Sequence, residues 1–123
     1  MDYNRVWAEI NLDNILDNLS AMRSNIPQDT KIMAVVKTDA YGHGAVEIAK
    51  VLEKVDYIFG YAAATVDEAM ELRENGIKKP ILILGYTFSE SYEEMILNDI
   101  RPTIFRYDMA KAFSDTAVRL NKV

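Results

Sequence analysis

Lys37 stands where an apolar run, Ile32-Met33-Ala34-Val35-Val36, gives way to a polar loop, Thr38-Asp39-Ala40-Tyr41-Gly42-His43-Gly44. A lysine at the end of a buried strand loses part of its hydration, and desolvation favours the neutral amine that attacks carbonyl groups to make a Schiff base. The plainer reading is a lysine whose head reaches solvent at a strand end. The loop that follows opens a helix, so its amides and the positive helix end suit an anion such as a phosphate, with the Tyr41 hydroxyl as a further donor. It matches neither a dinucleotide-binding glycine pattern nor a P-loop, and its two glycines serve equally well in a turn that needs positive φ. His43 has no sequence partner for a triad and reads as structural. Asp39 and Asp67 fall at strand-to-helix junctions, where carboxylates also serve as helix-start groups.

Composition removes much of the remaining chemistry. The 123 residues contain no cysteine and one histidine, which excludes disulfides, thiolate nucleophiles, cysteine-ligated metals and paired-histidine metal sites. Fourteen basic against nineteen acidic residues give a net charge of −5, with no basic block to grip a phosphate backbone, so nucleic acid is not an expected partner. The longest uncharged runs, residues 57–66 and 80–89, fall well short of the roughly 20 residues of a membrane-spanning helix, so no membrane partner is expected. Met1-Asp2-Tyr3-Asn4-Arg5 lacks the basic segment and apolar core of a secretory signal, and the expected location is cytoplasmic.

The elements that must position Lys37 alternate along the chain. Apolar runs at 32–36, 57–64 and 81–84, with a weaker one at 103–105 behind Pro102, predict four strands, the first three suited to burial on both faces. Between them the period becomes helical. Ala45, Ile48, Ala49, Leu52 and Val55 share one helix face, and Val66, Ala69, Met70 and Arg73 share another, started by the capping box Thr65-x-x-Glu68 and stopped by Gly76. Further helices are predicted at 12–22, from Ser89 through Ile96, and from an Asp108 cap through Leu120. Strand starts recur at about one strand–helix unit, and repeated βα units impose parallel strands with right-handed crossovers. Two architectures fit: a small doubly wound sheet, or the first half of an eight-fold barrel, toward which the uniform amphipathic helices lean. In both, ligands gather at the carboxyl ends of the strands.

Residues 34–44, Ala-Val-Val-Lys-Thr-Asp-Ala-Tyr-Gly-His-Gly, closely resemble the pyridoxal-phosphate attachment signature of alanine racemases. Residues 6–12 resemble that family's opening strand and first helix, 67–77 its third-helix segment and 80–85 the strand after it. The resemblance implies an α/β fold of repeated βα units forming the first half of a TIM (β/α)8 barrel of the alanine racemase type. Residues 1–123 would be the amino-terminal portion of that barrel domain, the remaining units and the carboxy-terminal β-domain falling outside it. It further implies pyridoxal 5′-phosphate as cofactor, Lys37 as the Schiff-base lysine and one of two bases exchanging the α-proton, and Tyr41 as a contact of the cofactor phosphate. The implied activity is an isomerase's, interconverting L- and D-alanine and supplying D-alanine for cell-wall peptidoglycan. The substrate is then a small amino acid and the full-length protein a homodimer. In the family the opposing tyrosine base comes from the partner's β-domain, so this chain alone is expected to be inactive, and its open sheet edges invite pairing with another copy. The alternatives are a short non-catalytic α/β module that binds pyridoxal phosphate or a protein partner, and a serine-preferring racemase domain.

Overall fold

The computed structural model describes residues 5–123. They divide into two units, one ending at Thr30 and one running from Lys31 to Val123. The first unit holds helix α1 (Leu12–Ser24), whose first turn is closed by Asn11, its side chain accepting the N–H groups of Asp13 and Asn14 at 2.9 and 3.2 Å. At the other end the Arg23 guanidinium donates to the carbonyls of Pro27, Gln28 and Thr30. Residues 6–10, expected as an opening strand, form none: a strand exists through its ladder, and the described sheet consists of β-strands from Ile32 onward.

The second unit is a four-stranded parallel sheet of β1 (Ile32–Val35), β2 (Ile58–Ala63), β3 (Ile81–Ile83) and β4 (Ile100–Pro102), in the spatial order β1-β2-β3-β4. Between the strands lie a short turn, α2 (Lys37–Gly42), and helices α3 (Ala45–Leu52), α4 (Val66–Glu74) and α5 (Tyr92–Leu97), and α6 (Tyr107–Arg119) follows β4. An in-order parallel sheet winds in one direction only, whereas a doubly wound sheet must reverse its order. The strand order therefore decides between the two architectures, and the unit is an α/β half of a (β/α)8 barrel.

Register shows how the two faces of the sheet differ. Tyr61, Ile81 and Ile100 are aligned across β2, β3 and β4 and are almost fully buried beneath the helices. The neighbouring row is Val35, Ala62, Leu82 and Arg101, on the face that would line a barrel; Val35 remains 53% exposed and Arg101 is exposed. Ile32 pairs with Ile58 but Met33 with Gly60, so Phe59 is the extra residue of a bulge, and its ring takes the Arg101 guanidinium at 5.4 Å from its centroid. Gly60 is required where it stands, because a Cβ there would collide with the Pro80 carbonyl that accepts the Tyr61 N–H.

The predicted helix faces form the core. Ala45, Ile48, Ala49 and Leu52 of α3 are buried, as are Ala69 and Leu72 of α4 and Met95 and Ile96 of α5. Three expectations shift. The fourth strand lies at Ile100–Pro102 rather than 103–105, because α5 ends at Leu97 and a left-handed Asp99 (φ 52°) turns the chain straight into the sheet. Pro102, expected at the strand's start, ends it, and Thr103 instead donates its hydroxyl to the Ile83 carbonyl at 2.7 Å. Asp108 is not the cap of α6: the helix starts at Tyr107 behind Arg106, and Asp108 in its first turn accepts the Arg106 Nε at 2.9 Å. No helix among the described residues is long and apolar enough to cross a membrane, and no cluster among them could hold a metal ion.

Candidate active site

Lys37 follows the carboxyl end of β1, one residue past Val36, whose N–H still donates to Ala62 of β2 at 2.9 Å. The chain then makes an unusual turn. Thr38, Asp39, Ala40 and Tyr41 all have φ between 50 and 56° and ψ between 41 and 46°, a full turn of left-handed helix built without glycine, before Gly42 and Gly44 continue at φ 84 and 87°. Each non-glycine residue in that conformation costs roughly 1–2 kcal/mol, so the turn persists only because its surroundings over-determine it. The glycines were legible as positive-φ positions; nothing in the four residues before them announces their conformation.

Hydrogen bonds from several directions hold the turn. The Ala40 N–H donates to Val36 O at 2.9 Å and the Gly44 N–H to Asp39 O at 3.0 Å. His43 Nδ1 lies 2.9 Å from the Ala40 carbonyl oxygen, a contact within its own turn. Asp39 Oδ1 accepts the Ala45 N–H at 2.8 Å, the helix-start role read from its position. The first turn of α3 thus already holds one carboxylate, on the Ala45 N–H.

Tyr41 is 66% exposed, and its ring lies 5.7 Å from the Lys37 ammonium, so the turn brings together an amine and a phenol four residues apart. Beside them the inner sheet face offers apolar side chains at Val35 and Leu84, each more than 40% exposed, and small ones at Ala62 of β2 and at Ala64 just past its end. Gly85, just past β3, keeps that rim tight, since a Cβ there would lie 2.7 Å from the Ala64 carbonyl oxygen. An amine, a phenol and an apolar floor at the carboxyl ends of parallel strands form a donor set that fits a flat, phosphorylated aldehyde: the amine for the carbonyl carbon, the phenol for the phosphate, the apolar face for the ring.

Sequence reasoning missed the destination of Glu68. The capping box predicts that its carboxylate returns to the Thr65 N–H. Half of the box forms, with Thr65 Oγ1 accepting the Glu68 N–H at 3.2 Å. The carboxylate goes elsewhere: Oε2 accepts the Ala64 N–H at 2.7 Å and Oε1 accepts the Thr38 N–H, beside Lys37, at 2.8 Å. The box identified the residue, and no signal within one βα unit could show that its acid reaches the unit before it.

Comparison with known proteins agrees with this picture. The family model described as "Alanine racemase, N-terminal domain" matches residues 10–123. An alanine racemase of Clostridium perfringens is 45% identical over 95% of this chain, and alanine racemase 1 of Clostridium acetobutylicum 46% identical over 94%; the chain spans about 30% of the length of each. Among solved structures, alanine racemase of Clostridium difficile 630 in complex with cycloserine superposes with a TM-score of 0.93 at 45% identity, over 98% of this chain and 32% of that one. A histidine racemase from Leuconostoc mesenteroides superposes with a TM-score of 0.76 at 26% identity, over 87% of this chain and 28% of that one. With the in-order half barrel and a family match running from Ile10 to the last residue, the chain belongs to the alanine racemase family, within its amino-terminal domain.

Proposed function

We propose that this chain is the amino-terminal, cofactor-holding portion of an enzyme that interconverts L- and D-alanine, with Lys37 and Tyr41 as its contribution to the pyridoxal 5′-phosphate site. The observation that carries the reading is the Lys37 amine, 5.7 Å from the Tyr41 ring and displayed on a strained turn at the carboxyl end of β1. Bound there, pyridoxal phosphate supplies the electron sink that allows the Cα–H bond of an amino acid to ionise. Lys37 would hold the cofactor through its amine and would serve as the base that carries the α-proton on one face of the substrate. Tyr41 would hold the phosphate through its hydroxyl. The apolar side chains of Val35 and Leu84 keep water from the reacting carbon on their side.

Racemisation needs an acid–base group on each face of Cα. Lys37 is one of them, and the family resemblance assigns the other to a tyrosine of a partner subunit's carboxy-terminal domain, so the working enzyme is a homodimer of longer chains. Its product would be D-alanine, in keeping with the names of the relatives; a cytoplasmic location and the use of D-alanine in peptidoglycan are what the family resemblance implies. The histidine racemase neighbour supports a narrower claim for this half of the barrel: it serves racemisation of amino acids in general, and the choice of side chain belongs to other parts of the enzyme.

The test is direct. After incubation with pyridoxal phosphate, borohydride reduction and digestion, peptide mass spectrometry is expected to find the cofactor mass on Lys37 selectively, and Lys37→Ala to abolish that labelling. Labelling scattered evenly over the surface lysines would overturn the reading.

A further inference from the structure

Glu68 ties the turn carrying Lys37 to a different βα unit. Its two carboxylate oxygens accept two backbone N–H groups, Thr38 at 2.8 Å and Ala64 at 2.7 Å, which lie immediately past the carboxyl ends of β1 and β2. Thr38 is also the first of the four left-handed residues, at φ 56°. Its N–H begins the turn and has no helical carbonyl behind it, so the carboxylate supplies the acceptor that the unusual backbone lacks. The helix holds Glu68 in turn, because Thr65 accepts the Glu68 N–H at the start of α4.

We infer that Glu68 is a positioning residue for Lys37, a carboxylate clamp that fixes the backbone on which the reactive amine is displayed. The inference rests on the cofactor reading of Lys37 and adds to it a residue one βα unit away. A carboxylate is needed on physical grounds: two oxygens meet two donors, and bonds to an ionised acceptor are shorter and stronger than neutral ones. Glutamine has the same length but only one acceptor oxygen, so its NH2 group must face one of the two N–H groups. Alanine leaves both without an acceptor. Either change releases the turn toward right-handed or extended backbone and lets the Lys37 amine wander from its place over the sheet end.

The experiment compares the wild-type chain with Glu68→Gln, Glu68→Ala and a control, Glu71→Gln, on the exposed side of the same helix. Amide hydrogen exchange, read residue by residue, reports the clamp; reductive pyridoxal-phosphate labelling, read by peptide mass spectrometry, reports Lys37. The expected result is exchange at least tenfold faster at Thr38 or Ala64 in Glu68→Gln and at both in Glu68→Ala, with β3 and α6 amides unchanged, and Lys37 labelling reduced to the level of the other lysines. Glu71→Gln is expected to change neither. Because Thr65 still caps α4, Glu68→Gln keeps its helix, and unchanged exchange at β3 and α6 verifies that the chain stays folded. Unchanged exchange at Thr38 and Ala64, or fast exchange there with Lys37 still labelled selectively, would overturn the inference. If the wild-type chain itself shows no selective label, the cofactor reading falls, and exchange at Thr38 alone then decides whether Glu68 is a clamp.

Discussion

Tyr61 is a phenol packed with no solvent exposure on β2, its hydroxyl donating to the Ala49 carbonyl of α3 at 2.9 Å. Burial raises its pKa above the ordinary value, and the nearby Glu53 carboxylate adds to the shift. An unfolded tyrosine releases its proton above about pH 10 while the folded one retains it, so in that window the native state binds more protons and stability falls as pH rises. Chemical denaturation above pH 10 is expected to show this slope, up to about 1.4 kcal/mol per pH unit from this one group. Tyr61→Phe should remove that component and cost about 1 kcal/mol at neutral pH for the lost hydrogen bond. At this scale the sequence was informative where chemistry is local. The helix-start role of Asp39 was legible from type and position because it acts within a few residues of its own place in the chain, and Lys37 and Tyr41, four residues apart, lie side by side on one short turn. The positive φ of Thr38 to Tyr41 and the reach of Glu68 were not legible, since the first runs against local preference and the second crosses into a neighbouring unit.

Among the elements, the connections below the sheet depend on Arg73, which the helical period placed at the end of the apolar face of α4. Its guanidinium donates to four carbonyls, Ile77 and Lys79 ahead of β3 and Asn98 and Asp99 ahead of β4, at 2.8 to 2.9 Å. A planar fork with five N–H groups can serve four acceptors in two loops at once, and an ammonium cannot. Arg73→Ala is expected to lower the unfolding free energy by about 3 kcal/mol, and Arg73→Lys to recover less than half of the loss, both measured by urea titration. The helices were legible because their buried faces repeat with the helical period, and the first three strands because continuous apolar runs are rare outside buried sheets. The fourth strand was displaced because Ile100-Arg101-Pro102 reads as polar and broken, while the more apolar Ile104 and Phe105 just beyond it are exposed. Arg101 belongs to a barrel-facing row, where hydrophobicity is a poor guide to strand identity.

For the molecule as a whole, strand order settles what periodicity left open between two architectures. The same order leaves β1 and β4 each with one unpaired edge among the described residues, and Val35, Phe59 and Leu84 partly exposed on the uncovered face. Pro102 removes one donor from the β4 edge, and Arg101 puts a charge beside it; the β1 edge, Ile32 to Val35, has neither device. The isolated 123-residue chain is therefore expected to self-associate, light scattering giving a mass that rises above 14.0 kDa with concentration. A mass that stays at the monomer value across concentrations would show the edges to be protected. The in-order sheet has one more consequence, for synthesis on the ribosome. Ile32 finds Ile58, Tyr61 finds Ile81 and Ile81 finds Ile100, so every strand pairs with the one made just before it. A nascent chain emerging from the exit tunnel can lay down this sheet strand by strand, and no strand has to wait for a distant partner still to be translated.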